Sequence, residues 1–150
     1  MSVVHDLASL AIADLLPHTG AMILIDEIVA CDDTSIVCAT SRHRDPANPL
    51  RDDGRLSTLA AVEFAAQAMA LHGALRCSPP KPLVDGRLVT VRDVELAIAD
   101  LHAAAAPLRI ECVMEAASAD ASGYAFTISA AGVLVARGRA TVSTGRERRR

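Results

Sequence analysis

Aromatic residues are almost absent from this 150-residue chain, which has no tryptophan and only Phe64, Tyr124 and Phe126. Hydrophobic residues still make up 51% of it, so a core has to be assembled from Ala, Val, Leu and Ile, side chains that suit close packing of a helix on a sheet. One domain of this size buries roughly 68–70% of its extended-chain surface, so no disulfide or metal is needed to hold it together. The four cysteines, Cys31, Cys38, Cys77 and Cys112, form no CxxC pair and have no histidine at ligand spacing. That pattern argues against a zinc site and against a secreted disulfide framework; reduced, mostly buried thiols are expected, with no metal and no cofactor. Positive charge is not in excess either. The formal net charge is −3 and the pI about 5.9, which removes nucleic acid and anionic membrane surfaces from the expected partners. The first sixteen residues lack a basic start and an uninterrupted apolar stretch, because Asp6 and Asp14 break it, and no apolar run reaches the roughly 18 residues of a membrane span. The sequence thus predicts a soluble, cytoplasmic protein.

Apolar positions at near-helical spacing over Val3 to Leu15, stopped by Pro17, predict a short opening helix. Two strands around Asp32-Asp33, Met22 to Cys31 and Thr34 to Thr40, read as a hairpin from their Ile, Val and Thr content. Ser41 to Arg55, with Pro46, Pro49, Gly54 and many charges, reads as a surface loop. The run from Leu56 to Arg76 is Ala-rich and apolar almost all round, with Ser57 as a plausible N-cap, and predicts a helix of about 30 Å that must be buried on most sides. Prolines 79, 80 and 82 end it. Four further segments of β-type composition follow: Gly86 to Ile98, Leu108 to Ala116, Tyr124 to Ala130 and Val133 to Ser143, the last two joined at Ala131-Gly132. Residues 1–144 are expected to form one domain, and 145–150, four arginines around Glu147, a solvated tail.

Two strands, one long helix and four strands make an α+β order in which an antiparallel sheet wraps a central helix, a hotdog-like layout. The helix is too apolar for one sheet face to cover, so a partner subunit is expected to close the rest. Composition and periodicity would fit a steroid-isomerase-like cone or a small ligand carrier nearly as well.

The segment from Leu15 to Ile28, LLPHTGAMILIDEI, opens on a Leu-Pro-His turn followed by an apolar strand ending in Asp, and Val62 to Ala70 places Glu63 and Gln67 one turn apart among small residues. Together these resemble the hotdog-fold 3-hydroxyacyl-acyl carrier protein dehydratases. The longer helix text through Leu75 is more similar still to the dehydratase-like subunits found with aryl polyene gene sets. That resemblance implies elimination of water from a 3-hydroxyacyl thioester on a carrier protein, in fatty-acid or polyene-type synthesis. A base takes the proton beside the thioester carbonyl, an acid protonates the departing hydroxyl, and backbone N–H groups at the helix start stabilise the enolate oxygen. It also implies a dimer, of like or related hotdog chains, in which one site draws on both subunits.

Carried over by residue, the resemblance gives Glu63 the carboxyl role, with Gln67 on nearly the same face in support. Glu63 is the only charged residue between Arg55 and Arg76; in the middle of a buried helix, an unpaired carboxylate would have a raised pKa. The family's loop histidine is expected about 14 residues before the helix carboxylate, and here Asn48 and Pro49 stand at 15 and 14 residues, where they could contact substrate but not take a proton. His43 is 20 residues upstream, His18 is read as shaping the Leu-Pro-His turn, and His72 lies on the side of the helix away from Glu63. His5 and His102 have no assigned role. The missing histidine is therefore expected from a related subunit. A thioesterase, in which the helix carboxylate activates water, and a non-catalytic subunit that stabilises a catalytic paralogue are the competing readings.

Overall fold

The computed structural model describes residue 7, residues 11–77, residues 80–82 and residues 86–143. Helix α1 (Ile12–Leu15) is a single turn. Of the rest of the expected opening helix, Ala11 is extended, and all but Leu7 and Ala11 lies outside the described residues, as do His5 and the basic tail. A 3-10 turn at Gly20–Met22 and an extended stretch lead into β1 (Glu27–Cys31), which pairs with β2 (Ser35–Thr40). The Asp32 carboxylate closes that hairpin by accepting from the Thr34 and Ser35 N–H groups at 2.9 and 2.8 Å. Expected strand Met22 to Cys31 is thus shorter, because Leu24 and its neighbours find partners other than a strand.

Ser57 does cap the long helix, but its hydroxyl accepts from Leu59 N–H at 3.2 Å to open a 3-10 turn, Thr58–Ala60, before helix α2 (Ala61–Leu75) begins. The remaining strands are β3 (Leu88–Leu96), β4 (Leu108–Ala117), β5 (Ala121–Ala130) and β6 (Val133–Ser143). β5 turns into β6 through Ala131 and Gly132, both at positive φ, the backbone that a two-residue hairpin matching the strand twist requires. All six strands form one antiparallel sheet in the order β1-β2-β4-β5-β6-β3.

Alternation along the strands sends one face inward: Leu108, Ile110 and Cys112 of β4, then Tyr124, Phe126 and Ile128 of β5, are buried while their neighbours reach solvent. α2 lies against that face with Phe64, Ala65, Ala68, Met69, Leu71 and Leu75 buried. Its alanines bring the helix close enough for the Cys112 thiol to sit 3.7 Å from the Ala65 carbonyl. The result is a hotdog fold, an antiparallel sheet around one long central helix. By length and composition Thr58–Leu75 is apolar enough to cross a membrane, but Glu63 interrupts it and most of that window is buried inside the domain. Cys38 and Cys112 are buried, whereas Cys31 and Cys77 are half-buried, and all four are free thiols.

Candidate functional site

α2 sets the floor of the site. Glu63, Ala66, Gln67 and Ala70 follow one another at helical spacing, and with Pro17 and His18 of the turn before β1 they line a cavity of about 230 Å³. The rest of its lining comes from Gly86 and Arg87, just before β3, the first residue of β3 and the end of β6.

Glu63 is not enclosed in the middle of a helix, as the sequence suggested. Because the 3-10 turn takes up the first residues after Ser57, α2 starts at Ala61, and Glu63 falls in its first turn with an exposed side chain. A carboxylate there is favoured by the helix dipole, and among the described residues no cation pairs with it. It stands on a stripe of Leu59, Val62, Ala66, Ala70 and Gly73 that the chain's own sheet leaves half-buried or exposed.

Gln67 borders the same cavity, but both ends of its amide are engaged. Leu24 N–H donates to Oε1 at 2.8 Å and Nε2 donates to the Met22 carbonyl at 2.6 Å, so Gln67 serves the stretch before β1 where a neighbouring strand is missing. Asn48 and Pro49 do not line this cavity. Asn48 is buried, donating to the Arg42 carbonyl and accepting from Leu50 N–H, each at 2.9 Å, and thereby shapes its own loop; Pro49 is exposed.

His43 is fully buried on a 3-10 turn, its Nε2–H shared between the Ala104 and Ala105 carbonyls at 3.1 and 3.2 Å. Burial pushes its pKa down, and Arg44 and Arg51 act in the same direction. His72 is fully buried on the far side of α2. Its Nε2–H donates to the Asp32 carbonyl at 2.9 Å and Nδ1 accepts from the Tyr124 hydroxyl at 2.6 Å, with the pKa again depressed chiefly by burial. His102 Nδ1 accepts from Leu56 N–H at 3.0 Å. Of the described histidines, His18 alone reaches the cavity of Glu63, and its Nδ1 is buried with no hydrogen-bond partner. Sequence reasoning set His18 aside and missed Arg87 altogether; nothing local marks Arg87, whose place depends on β3 docking beside β6.

The backbone donors that the resemblance implied at the helix start are also engaged. Thr58 N–H donates to the Ala99 carbonyl, Leu59 N–H to the Ser57 hydroxyl, Ala60 N–H to the Ser57 carbonyl, and Ala61 N–H to the carbonyls of Thr58 and Leu59.

The family model described as ApeP-like, ApeP dehydratase, matches residues 10–149. The chain belongs to the ApeP dehydratase family. No curated protein matches it. Among solved structures, it is similar to a chain of the dehydratase heterocomplex ApeI:P from Xenorhabdus doucetiae, with a TM-score of 0.81 and 21% identity over 92% of this chain and 93% of that one. A thioesterase variant from Pseudomonas aeruginosa matches with a TM-score of 0.55 and 16% identity over 78% of each chain. A hypothetical thioesterase from Streptococcus pneumoniae, solved with coenzyme A, matches with a TM-score of 0.56 and 16% identity over 81% of this chain and 88% of that one. What these structures share with the chain is the hotdog fold. The ApeP-like match runs through His18, Asn48 and Glu63 alike.

Proposed function

We propose that this chain is a subunit of a dehydratase that removes water from a 3-hydroxyacyl thioester carried by an acyl carrier protein, in the cytoplasm, with Glu63 as its reacting carboxyl group. The observation that carries the reading is the carboxylate in the first turn of the central helix, on the wall of a cavity, in a member of the ApeP dehydratase family. Gln67 holds the floor of that cavity in place.

The site is open on a single chain, and a second hotdog subunit, identical or related, would close it. Two exposed features support such a partner: the uncovered stripe of α2, and the edge strand β3, whose Val89 and Val91 are 56% and 37% exposed beside an unpaired backbone edge. The similarity to a chain of a dehydratase heterocomplex favours a related partner. The loop carrying Asn48 and Pro49 would reach substrate only across that interface, in the partner's site.

Purified chain combined with a second hotdog subunit and a 3-hydroxyacyl carrier substrate should yield the enoyl thioester. Glu63→Gln, nearly isosteric but unable to exchange a proton, should lower turnover by about 10²- to 10⁴-fold with an unchanged circular dichroism spectrum. Unchanged turnover would take Glu63 out of the reaction. The likeness to thioesterases supports a second reading, hydrolysis, and free acid in place of the enoyl thioester would establish it.

A further inference from the structure

We infer that His18 is a catalytic residue of the Glu63 cavity, acting as a neutral hydrogen-bond donor to the thioester carbonyl oxygen and not as the base; the inference rests on the dehydratase reading above. Three observations converge on it. His18 and Glu63 line one cavity, although 45 residues separate them in sequence. The N–H groups of Thr58 to Ala61, at the helix start where the resemblance implied enolate stabilisation, already have partners within the chain. And His18 Nδ1 is buried without a partner.

That last observation selects the tautomer. A neutral imidazole carries its proton on one nitrogen and a lone pair on the other, and which is which follows from the partners of each. A buried N–H is left without an acceptor more rarely than a buried lone pair is left without a donor, which puts the proton on Nε2 and the bare lone pair on Nδ1. The other ring nitrogen of this cavity-lining residue, Nε2, is then a donor. A neutral donor of this kind could not also serve as the general acid without leaving an imidazolate, so His18 takes no part in the proton transfers.

A single carboxylate suffices if the elimination is syn. The Glu63 carboxylate takes the proton from C2, and the C2–H electron pair becomes the C2–C3 π bond. The C3–O bond breaks with its pair, and the departing hydroxide receives the same proton from Glu63 and leaves as water. Glu63 returns to its carboxylate, and no other proton source is consumed. Between these events the thioester oxygen carries enolate charge, which His18 Nε2–H stabilises without giving up its proton.

Conservative replacement separates donation from proton transfer. In the assembled dehydratase, His18→Ala should lower turnover by about 10²- to 10³-fold, the usual loss for one donor to a developing oxyanion. His18→Gln, whose amide N–H can occupy nearly the place of Nε2–H, should recover most of that loss and keep the wild-type pH profile. Nitrogen-15 NMR of the wild-type chain alone should show His18 as the Nε2–H tautomer at pH 7.5, a readout that holds even if the alanine variant does not fold. Full turnover in His18→Ala, a glutamine variant as slow as the alanine one, or an Nδ1–H tautomer would each overturn the assignment. With Glu63→Gln inactive beside a fully active His18→Ala, only the role of His18 falls; Glu63→Gln at wild-type turnover would overturn the reading of the whole site.

Discussion

Gln67 replaces a missing β-strand partner. The stretch before β1 runs past the sheet, and a single amide pairs one N–H and one C=O of it, at Leu24 and Met22. Gln67→Leu keeps the volume but leaves both backbone groups without that partner. It should therefore destabilise the fold by about 1–3 kcal/mol, read as a lower urea midpoint at an unchanged slope. A wild-type midpoint would show that water takes over both bonds. The sequence made the pairing of Glu63 and Gln67 on one helix face legible, since spacing alone determines that. It did not show that one would be exposed and the other engaged with backbone 45 and 43 residues away, because such contacts depend on where the chain before β1 is laid down. For the same reason the loop amide of Asn48 read as free when it is used within its own loop.

Element by element, the strands were legible from β-branched composition, and the hairpin at Ala131-Gly132 from its turn chemistry. The start of α2 was not, since a hydroxyl at Ser57 caps a 3-10 turn as readily as an α-helix. Nor was the edge position of β3, whose valines suggest burial while the strand is mostly exposed. Between β5 and β6, Gly138 faces Phe126 in register. A Cβ at Gly138 would lie 2.8 Å from Phe126 Cζ and 3.1 Å from Val94 Cγ2. The Phe126 ring is 1% exposed, so it can yield only into a packed interior. Gly138→Ala should accordingly cost about 1–3 kcal/mol by overpacking, measured by chemical denaturation. Wild-type stability in that variant would mean that β6 can draw back from the ring.

At the scale of the whole molecule, two buried histidines join parts of the chain that lie far apart in sequence. His43 fastens the loop after β2 to the Ala104-Ala105 connection, and His72 fastens the end of α2 both to the β1–β2 turn and to Tyr124 of β5. Each needs a neutral ring. In His72 a second proton would force the Tyr124 hydroxyl to stop donating to Nδ1, and in His43 it would place an N–H on a buried Nδ1 that has no partner. Burial is the main cause of the depressed pKa at both. Around His72, Arg76 adds to the depression while Asp32 and Asp33 oppose it, and around His43, Arg44 and Arg51 add to it. A group with a lower pKa folded than unfolded binds protons preferentially in the unfolded chain, so its contribution is complete above about pH 6.5 and declines as the pH falls toward the folded value. Asp26 and Asp32 also have lowered pKa values. At Asp26 burial acts upward but is outweighed by the Ser41 N–H and by Arg42; at Asp32 the Thr34 and Ser35 N–H groups dominate. Those carboxylates lose their contribution only near pH 4 and below, leaving the interval from pH 7.5 to 5 to the histidines. The urea midpoint should fall over that interval, and the fall should shrink in Tyr124→Phe, where the neutral ring of His72 has already lost its donor. A midpoint that is flat from pH 7.5 to 5 would show that neither ring is held neutral by the fold.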